Sequence, residues 1–240
     1  MITLTDTKDS VLGIYEEIKT RIVSREYLAD TKLNQNQIAS ELGVSRTPVI
    51  KALHMLQSQG LVDNIPNKGF YVHKASLQET MELYKLRQAV EMVAVVDITE
   101  RAPLEEIVKL GDIFSPFSDQ QTIDLNTYAE YDRIFHSRLL ELSENQILQR
   151  TNQAVLILPK AFTSGLLRSP KETLQEHLDL IEALIKRDSE AAQNLAKKHL
   201  ELSMTPFKLA IAGLHKVGID PRKISIDDIL TDLKVAEFDK

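Results

Sequence analysis

The amino-acid sequence predicts a mainly α-helical protein of two domains, an N-terminal winged helix-turn-helix followed by a C-terminal all-α helical bundle. Apolar residues recur at helical spacing through most of the 240 residues. Strand-like runs stand only at 61–64 and 70–73, on either side of a segment of turn composition at 65–69. No apolar run approaches the ~20 residues that a membrane span requires, so we expect no membrane partner.

The first third of the chain has the element order of a winged helix-turn-helix. A first amphipathic helix is predicted over 10–25. Asn34 is a suitable N-cap for a second, short helix that ends at Gly43, where a positive φ is expected. Ser45 is a suitable N-cap for a third helix that ends at Gly60, and the two strand-like runs follow as a wing.

Beyond Lys74 the pattern predicts helices alone. The predicted helices cover 77–101, 104–114, 122–142, 145–158, 170–186 and 189–214, with one more short helix around 226–235. We therefore divide the chain into a winged helix-turn-helix domain at 1–74, a linker at 75–79, an all-helical domain at 80–215 and a C-terminal extension at 216–240.

The composition indicates a globular protein of the cytoplasm. Hydrophobic residues make up 43% of the chain and charged residues 27%, which is ordinary for a soluble domain. The polar first ten residues lack the apolar stretch of a signal peptide. Because there is no cysteine, disulfides and thiolate metal sites are excluded.

The third predicted helix carries residues that suit contact with DNA. A recognition helix presents its N-terminal residues to base edges in the major groove, and Arg46 lies in that first turn, where its guanidinium can bond O6 and N7 of a guanine. Ile50 suits a thymine methyl group. The further candidates for phosphate or base contacts are Ser45, Thr47 and Lys51 from this helix, Asn34 and Gln35 from the helix before it, and Lys68 and Gly69 from the wing.

The net charge of −6 is unevenly distributed. Residues 1–74 hold nine basic and eight acidic side chains, a net charge of +1, and the remaining residues carry −7. Attraction to phosphates depends on where the basic groups lie, so an acidic remainder does not exclude DNA binding. The distribution indicates that only the first third of the chain faces DNA.

The segment from Leu33 to Val72 resembles the GntR family of transcription regulators. The resemblance rests on Leu33-Asn34, Ile38-Ala39, Leu42-Gly43-Val44-Ser45-Arg46-Thr47-Pro48-Val49, Ala52-Leu53, Leu56, Gly60-Leu61-Val62, Gly69 and Val72. One departure stands out, because the family usually places Arg and then Glu after Pro48-Val49, where this chain has Ile50 and Lys51. We therefore expect an operator that differs from the family's common one.

Residues 80–215 resemble the FCD domain, the helical effector-binding domain of the FadR branch of that family. The resemblance rests on Leu83, Leu86, Arg87, Glu91, Asp132, Phe135, His136, Ser143, Asn145, His177, Ile181, Ala183, Leu184, Asp188, His199 and Leu200. It implies that the second domain is an FCD-like bundle that binds an effector.

Four of these residues are candidate metal ligands. Asp132 and His136 are four apart on one predicted helix and so share a face, whereas His177 and His199 lie on two later helices. One carboxylate and three imidazoles inside a bundle suit Zn²⁺, Ni²⁺ or Mn²⁺. The family's ligands occupy these four positions, so the resemblance implies a divalent metal ion here.

Two further residues are candidates for effector binding. The fork of Arg87 can pair with the carboxylate of a small effector, or it can pair with Glu91 one helical turn further on. Asn145 can bond the effector or cap the helix that it begins. The sequence leaves both pairs of alternatives open.

Together these features predict a transcription regulator and not an enzyme. We expect a homodimer that binds a double-stranded DNA operator as a repressor, with an affinity modulated by a small carboxylate effector at or near the metal. Two alternatives remain open at this stage. The metal itself could be the signal or a structural element, or the cluster could be a hydrolytic centre, against which stands the lack of an HExxH motif and of a Gly-rich phosphate loop.

Overall fold

The computed structural model describes residues 10–118, 122–151 and 168–229. The chain divides into two compact units, Met1–Lys74 and Ala75–Lys240. The described part of the first unit contains three helices and a three-stranded sheet, and the described part of the second is built from helices. Among the described helices, none combines the length and the apolar character that crossing a bilayer requires.

Capping residues fix the helices of the first unit. Helix α1 spans Val11–Val23, α2 spans Gln35–Leu42 and α3 spans Arg46–Ser58. The side chain of Asn34 accepts hydrogen bonds from two backbone amides in the first turn of α2, which confirms the predicted N-cap. Gly43 ends α2 with a φ of 70°, the left-handed conformation expected there, and so turns the chain sharply into α3.

The sheet has the strand order β1-β3-β2 and is antiparallel throughout. Strands β2 (Val62–Ile65) and β3 (Gly69–Val72) form the predicted wing, each displaced by one residue from its expected position. Strand β1 (Lys32–Leu33) was not predicted from the sequence. Two residues are too few to show the alternating pattern that predicts a strand. This strand is instead defined by its pairing with β3, in which Leu33 lies opposite Phe70.

Helices α1 and α3 pack against each other through one apolar face each. The buried residues on these faces are Ile14, Tyr15, Ile18 and Ile22 from α1 and Val49, Ala52, Leu53 and Leu56 from α3. Burying a side chain of this size contributes roughly 1.5–3 kcal/mol. The same packing leaves the other face of α3 to solvent, so that Arg46, Thr47 and Lys51 are exposed.

The second unit is a bundle of long helices around an apolar core. Its helices are α4 (Leu77–Arg101), α5 (Leu104–Asp112), α6 (Leu125–Leu142), α7 (Pro170–Ile185) and α8 (Ser189–Lys216). Short 3₁₀ helices form at Ser115–Phe117 and Pro221–Lys223. Buried residues from α4 to α8 meet in one core, which includes Ile98, Leu110, Phe135, Leu184 and Ala196.

Three helix predictions need adjustment. Helix α6 begins at Leu125 and not at 122, because the side chain of Asp124 caps it. The helix expected over 145–158 is present at 146–151, and its remainder lies outside the described residues. The short helix expected around 226–235 is likewise present at 226–229, and the rest of that prediction lies outside them.

The predicted linker at 75–79 forms the start of α4. Ser76 is its N-cap, with a side chain that accepts from the backbone amide of the third residue of α4. The backbone amide of Leu77 donates to the carbonyl of Ile224 at 2.7 Å, and Ser76 pairs with Ser225 in an antiparallel bridge. The C-terminal segment therefore covers the first turn of α4.

The C-terminal segment has its own local order. Ser225 and Asp228 exchange hydrogen bonds as a capping box, because the backbone amide of each is bonded by the side chain of the other. Ile226 and Pro221 are buried. A capped turn with buried apolar residues is fixed against the bundle.

Arg187, in the turn between α7 and α8, closes the C-terminal end of α4. Its Nη1 donates to the carbonyls of Ile98 at 2.9 Å and Thr99 at 3.3 Å, and its Nη2 donates to that of Ala102 at 2.6 Å. Hydrogen bonds from a charged donor are worth roughly 1.5–3 kcal/mol each, and they offset the unpaired carbonyls of a helix end. Since water can solvate these part-buried carbonyls once the side chain is removed, we expect Arg187→Ala to lower the free energy of unfolding by about 1.5–3 kcal/mol, the worth of one such bond, measured by urea denaturation.

The neighbouring residue supplies a matched control. Lys186 is exposed and pairs with Glu182 on the surface of α7. Since exposed ion pairs are worth little, Lys186→Ala should change the stability by no more than about 0.5 kcal/mol. Equal stability of the two variants would contradict the capping role of Arg187.

Candidate metal centre and DNA-contacting surface

The predicted DNA-contacting residues lie on α2, α3 and the wing of the first unit. Those exposed to solvent are Asn34, Ser45, Arg46, Thr47, Lys51 and Lys68, and those half-buried are Gln35, Ile50 and Gly69. Within the described residues, Lys51 and Lys68 carry no ion pair. Their charges are therefore available to phosphates.

The N-terminus of α3 departs from expectation in one respect. Ser45 occupies the N-cap position, but its side chain makes no cap hydrogen bond. The hydroxyl of Ser45 is thus left for another partner at the surface. Asn34 differs, because its side-chain oxygen is used in capping α2, and only its amide nitrogen remains for a phosphate.

Gln35 contacts Arg46 directly. The Gln35 Oε1 accepts from Nε of Arg46 at 3.1 Å and from its Nη2 at 2.6 Å. The Gln35 Nε2 lies 3.9 Å from the position that a Cβ on Gly69 would take. Gln35 therefore lies between the tip of α3 and the first residue of β3.

In the second unit, the four candidate metal ligands converge from three helices. Helix α6 supplies Asp132 and His136, α7 supplies His177 and α8 supplies His199. Each offers one ligand atom, and these atoms all lie within 4.8 Å of one another. The Nε2 of His177 is 3.2 Å from that of His136 and 3.3 Å from that of His199. Oδ1 of Asp132 is 3.5 Å from Nε2 of His177.

The outer nitrogen of each imidazole faces an oxygen. Nδ1 of His136 lies 2.9 Å from Oε2 of Glu91, and Nδ1 of His199 lies 2.7 Å from Oε2 of Glu176. Nδ1 of His177 lies 3.2 Å from the hydroxyl of Tyr128. An ionised carboxylate can only accept, so it holds the ring proton on Nδ1 and leaves the Nε2 lone pair pointing inward.

This arrangement fits a cation. The Nε2 atom of His177 lies 3.2–3.3 Å from those of His136 and His199, a separation at which these nitrogens can share one ion about 2.0–2.1 Å from each. Imidazoles whose second nitrogen is bonded to a carboxylate are the usual ligands of metal sites in proteins. The donor set of one carboxylate and three imidazoles therefore suits a divalent transition metal.

Burial favours the neutral, metal-binding form of two of the imidazoles, those of His136 and His177. His136 is 1% exposed, His177 0% and His199 5%, against 13% for the side chain of Asp132. Burial, followed by the neighbouring His199 and His136, lowers the pKa of His177 well below its usual value. Burial and the charge of Arg87 also lower the pKa of His136. Neutral imidazoles bind metal without first losing a proton.

The two supporting carboxylates are ionised. Burial alone would raise the pKa of Glu91, but its interactions with His136 and Arg87, which include a hydrogen bond from each, outweigh burial and lower that pKa to about 2. Burial would likewise raise the pKa of Glu176, yet hydrogen bonds from Arg168 and His199 bring it to about 2. Each carboxylate thus accepts from an imidazole on one side and from an arginine on the other.

The structure shows the pairing of Arg87 with Glu91. Nε of Arg87 donates to Oε1 of Glu91 at 2.7 Å, and the guanidinium lies over the ring of Tyr84. Within the described residues, its terminal nitrogens make no hydrogen bond. The predicted contact between Arg87 and an effector stays a prediction.

Asn145 lies outside the four-residue cluster. Its Oδ1 accepts from the backbone amides of Ile147 and Leu148, both at 3.2 Å, and its Nδ2 donates to Asp97 at 3.4 Å. The capping alternative is therefore present in the structure. The effector-binding alternative for Asn145 also stays a prediction.

Sequence reasoning missed several residues around the cluster. Glu176 and Tyr128, which orient two of the imidazoles, were not identified. Glu91 was identified as part of the resemblance and as a partner of Arg87, but not as the partner of His136. Phe114, also missed, stacks on the ring of His177 at 5.0 Å between centroids. Only Glu176 carried a local signal, since it directly precedes His177 in the sequence.

A winged helix with an exposed α3 tip, joined to a helical unit with a buried Asp/His cluster, defines the class of two-domain DNA-binding transcription regulators. Residues 11–72 match the model of the gntR family of bacterial regulatory proteins, and residues 82–202 match the FCD domain. The chain belongs to the GntR family and has the domain arrangement of its FadR-like branch.

Relatives over most of the chain are named as transcription regulators. The Nta operon transcriptional regulator of Aminobacter aminovorans is 29% identical over 206 residues, which cover 84% of this chain and 98% of that protein. The HTH-type transcriptional repressor RspR of Escherichia coli is 27% identical over 195 residues, which cover 78% of this chain and 84% of that protein.

A solved structure supports the fold. A putative GntR transcriptional regulator from Rhodococcus sp. RHA1 superimposes with a TM-score of 0.71 at 21% identity. The match covers 83% of this chain and 98% of the other. The mainly α-helical, two-domain fold predicted from the sequence is thereby confirmed.

Proposed function

We propose that this protein is a repressor whose operator affinity is controlled by a small carboxylate effector bound at a metal centre in its helical domain. The observation that carries the proposal is the convergence of three imidazole Nε2 atoms and Oδ1 of Asp132 in one buried cluster. In a regulator, such a cluster within the second unit is a ligand-binding site separate from the DNA-contacting helix.

Asp132, His136, His177 and His199 would hold the metal, with Zn²⁺, Ni²⁺ and Mn²⁺ as the candidates. When bound, the ion supplies a Lewis-acidic centre that attracts a carboxylate. The protein's contribution is to hold the imidazoles in one orientation, which Glu91 and Glu176 do through the outer ring nitrogens.

Arg87 is the residue best suited to hold an effector carboxylate. Its side chain is buried beside the cluster, where Glu91 bonds Nε and orients the guanidinium. The terminal nitrogens can then donate two parallel hydrogen bonds to a carboxylate. An effector held by both Arg87 and the metal would need two neighbouring oxygen atoms, one for each partner. A single carboxylate provides such a pair.

Control of DNA binding requires that the effector bind one conformation better than another. We propose a homodimer, because two recognition helices on successive half-sites of a pseudo-palindrome are the common arrangement for helix-turn-helix proteins. Repression is supported by the relative RspR, which is named as a transcriptional repressor.

Metal and effector can be separated by one set of titrations. Operator affinity is measured for chelated protein, for metal-loaded protein, and for metal-loaded protein with a series of small mono- and dicarboxylates. The proposal expects affinity to change when a carboxylate is added to the metal-loaded form. A change on adding metal alone, with no further response to any carboxylate, would instead make the metal the signal.

Arg46→Ala tests the DNA-contacting surface. A good bidentate pair with a guanine is worth roughly 1–3 kcal/mol, so we expect a loss of about 5- to 150-fold in affinity for the operator and much less for unrelated DNA. Fluorescence anisotropy at fixed salt measures both. Unchanged operator affinity would refute the role of Arg46.

Lys51→Ala serves as the comparison, since Lys51 is exposed further along the same helix. A phosphate contact carries no sequence information. We therefore expect this variant to weaken binding about equally on all sequences and to reduce the salt slope by about 1.

A further inference from the structure

We propose that Gln35 is a positioning residue that sets which edge of the Arg46 guanidinium faces a base, and so determines specificity at the base pair that Arg46 reads. The inference rests on the proposed base-reading role of Arg46. It gives Gln35 a function different from the phosphate contact expected from the sequence.

The hydrogen bonds identify the edge that is occupied. Oε1 of Gln35 accepts from Nε and Nη2 of Arg46, which together form the side edge of the guanidinium. A guanidinium has five N–H donors in a planar fork. The end edge therefore keeps one N–H on Nη1 and one on Nη2, the pair that matches O6 and N7 of a guanine.

The Gln35 side chain is itself confined. It belongs to the first residue of α2, directly after the N-cap Asn34, and it is half-buried. Its amide end lies close to Gly69, where no side chain competes for the space. The contact therefore joins two rigid elements and orients Arg46 before DNA arrives, which removes part of the entropy cost of ordering a long side chain on binding.

This role and a phosphate contact predict different results. The acceptor oxygen of Gln35 is directed at Arg46, and a phosphate cannot donate to it. A residue that only contacts phosphate changes affinity for all sequences alike. Replacing a residue that positions Arg46 changes discrimination at one base pair. The same replacement has no such effect in a protein that already lacks Arg46.

The experiment uses the full chain and a duplex selected by it from a randomised pool, together with duplexes that carry each single base-pair substitution. Gln35→Ala should reduce discrimination by about 2- to 12-fold at the base pair where Arg46→Ala reduces it, and leave the other positions unchanged. In the Arg46→Ala background, Gln35→Ala should have no further effect on discrimination. Gln35→Glu keeps the acceptor and should restore discrimination.

Gln37→Ala is the matched control, because Gln37 lies on the same helix and bonds Glu41 instead. It should leave the discrimination profile unchanged. Circular dichroism and thermal midpoints confirm that each variant is folded.

Four outcomes separate the hypotheses. An equal loss at every position for Gln35→Ala, or an undiminished effect of it in the Arg46→Ala background, would overturn the positioning role. Intact discrimination in Gln35→Ala, with discrimination lost in Arg46→Ala, would overturn this inference and leave the proposed function standing. If Arg46→Ala alters discrimination nowhere, the base-reading role proposed above fails instead.

Discussion

Protein carrying His136→Ala should lose its bound metal on dialysis, whereas the wild-type protein should keep it. The substitution removes one of three converging imidazoles and leaves a cavity in a buried site that His136 fills at 1% exposure. It also leaves the ionised Glu91 without the N–H of that ring. Metal analysis of dialysed samples by mass spectrometry measures the result, which we expect to be a loss of most of the bound metal.

His215→Ala is the control for this experiment. His215 is exposed on α8, the helix that also carries His199, so this variant loses an imidazole without touching the cluster. It should retain wild-type metal content. Wild-type metal content in the His136→Ala protein would mean that His136 is not a ligand.

The second large effect is expected on stability, from Glu91→Ala. Glu91 is 1% exposed and bonds both the buried Arg87 and His136. Removing one member of a buried, bonded charge pair leaves the other unpaired and typically costs about 3–5 kcal/mol. Urea denaturation should show a loss of this size in the free energy of unfolding.

Glu176→Gln provides the contrast. The side chain of Glu176 is 22% exposed, so water can replace part of what it provides, and we expect a smaller loss of stability. Replacing a residue that orients a metal ligand typically weakens metal binding 10- to 100-fold, and Glu176→Gln should do so.

For the first of these two variants, equal stability of Glu91→Ala and wild type would contradict the buried network.

The pH dependence of this contribution has a defined sign. The folded protein lowers the pKa of Glu91 from the usual 4.5 to about 2. A carboxyl with a lowered pKa stabilises the fold fully above its unfolded pKa, and the stability is lost as pH falls toward the folded value. The Glu91 contribution should therefore be intact at neutral pH and disappear between about pH 4.5 and 2.

Local signals predicted the helices of both units well. Asn34 and Gly43 mark the ends of α2 because N-caps and left-handed turns depend on residues within three or four positions. Strand β1 was missed, since its pairing with β3 depends on residues almost forty positions away. The unused cap at Ser45 was missed for a different reason, because composition shows that a hydroxyl is present but not where it points.

The candidate metal ligands were predictable because Asp132 and His136 share a helical face and the resemblance supplied the other two. Their supporting residues were not, because orientation is a tertiary property. Glu91 lies 45 positions before His136 in the chain, and no spacing rule joins the two. The contact of Gln35 with Arg46, across the turn between α2 and α3, likewise follows from no spacing rule and had to be seen in the structure.

The antiparallel bridge between Ser76 and Ser225 joins the start of the helical unit to a segment almost 150 residues further along the chain. A chain shortened to 80–215 would lack both partners of that bridge and the carbonyl of Ile224 that bonds Leu77. A truncated protein meant to fold as the helical unit alone should therefore keep both Ser76 and the capped turn of Ser225 and Asp228.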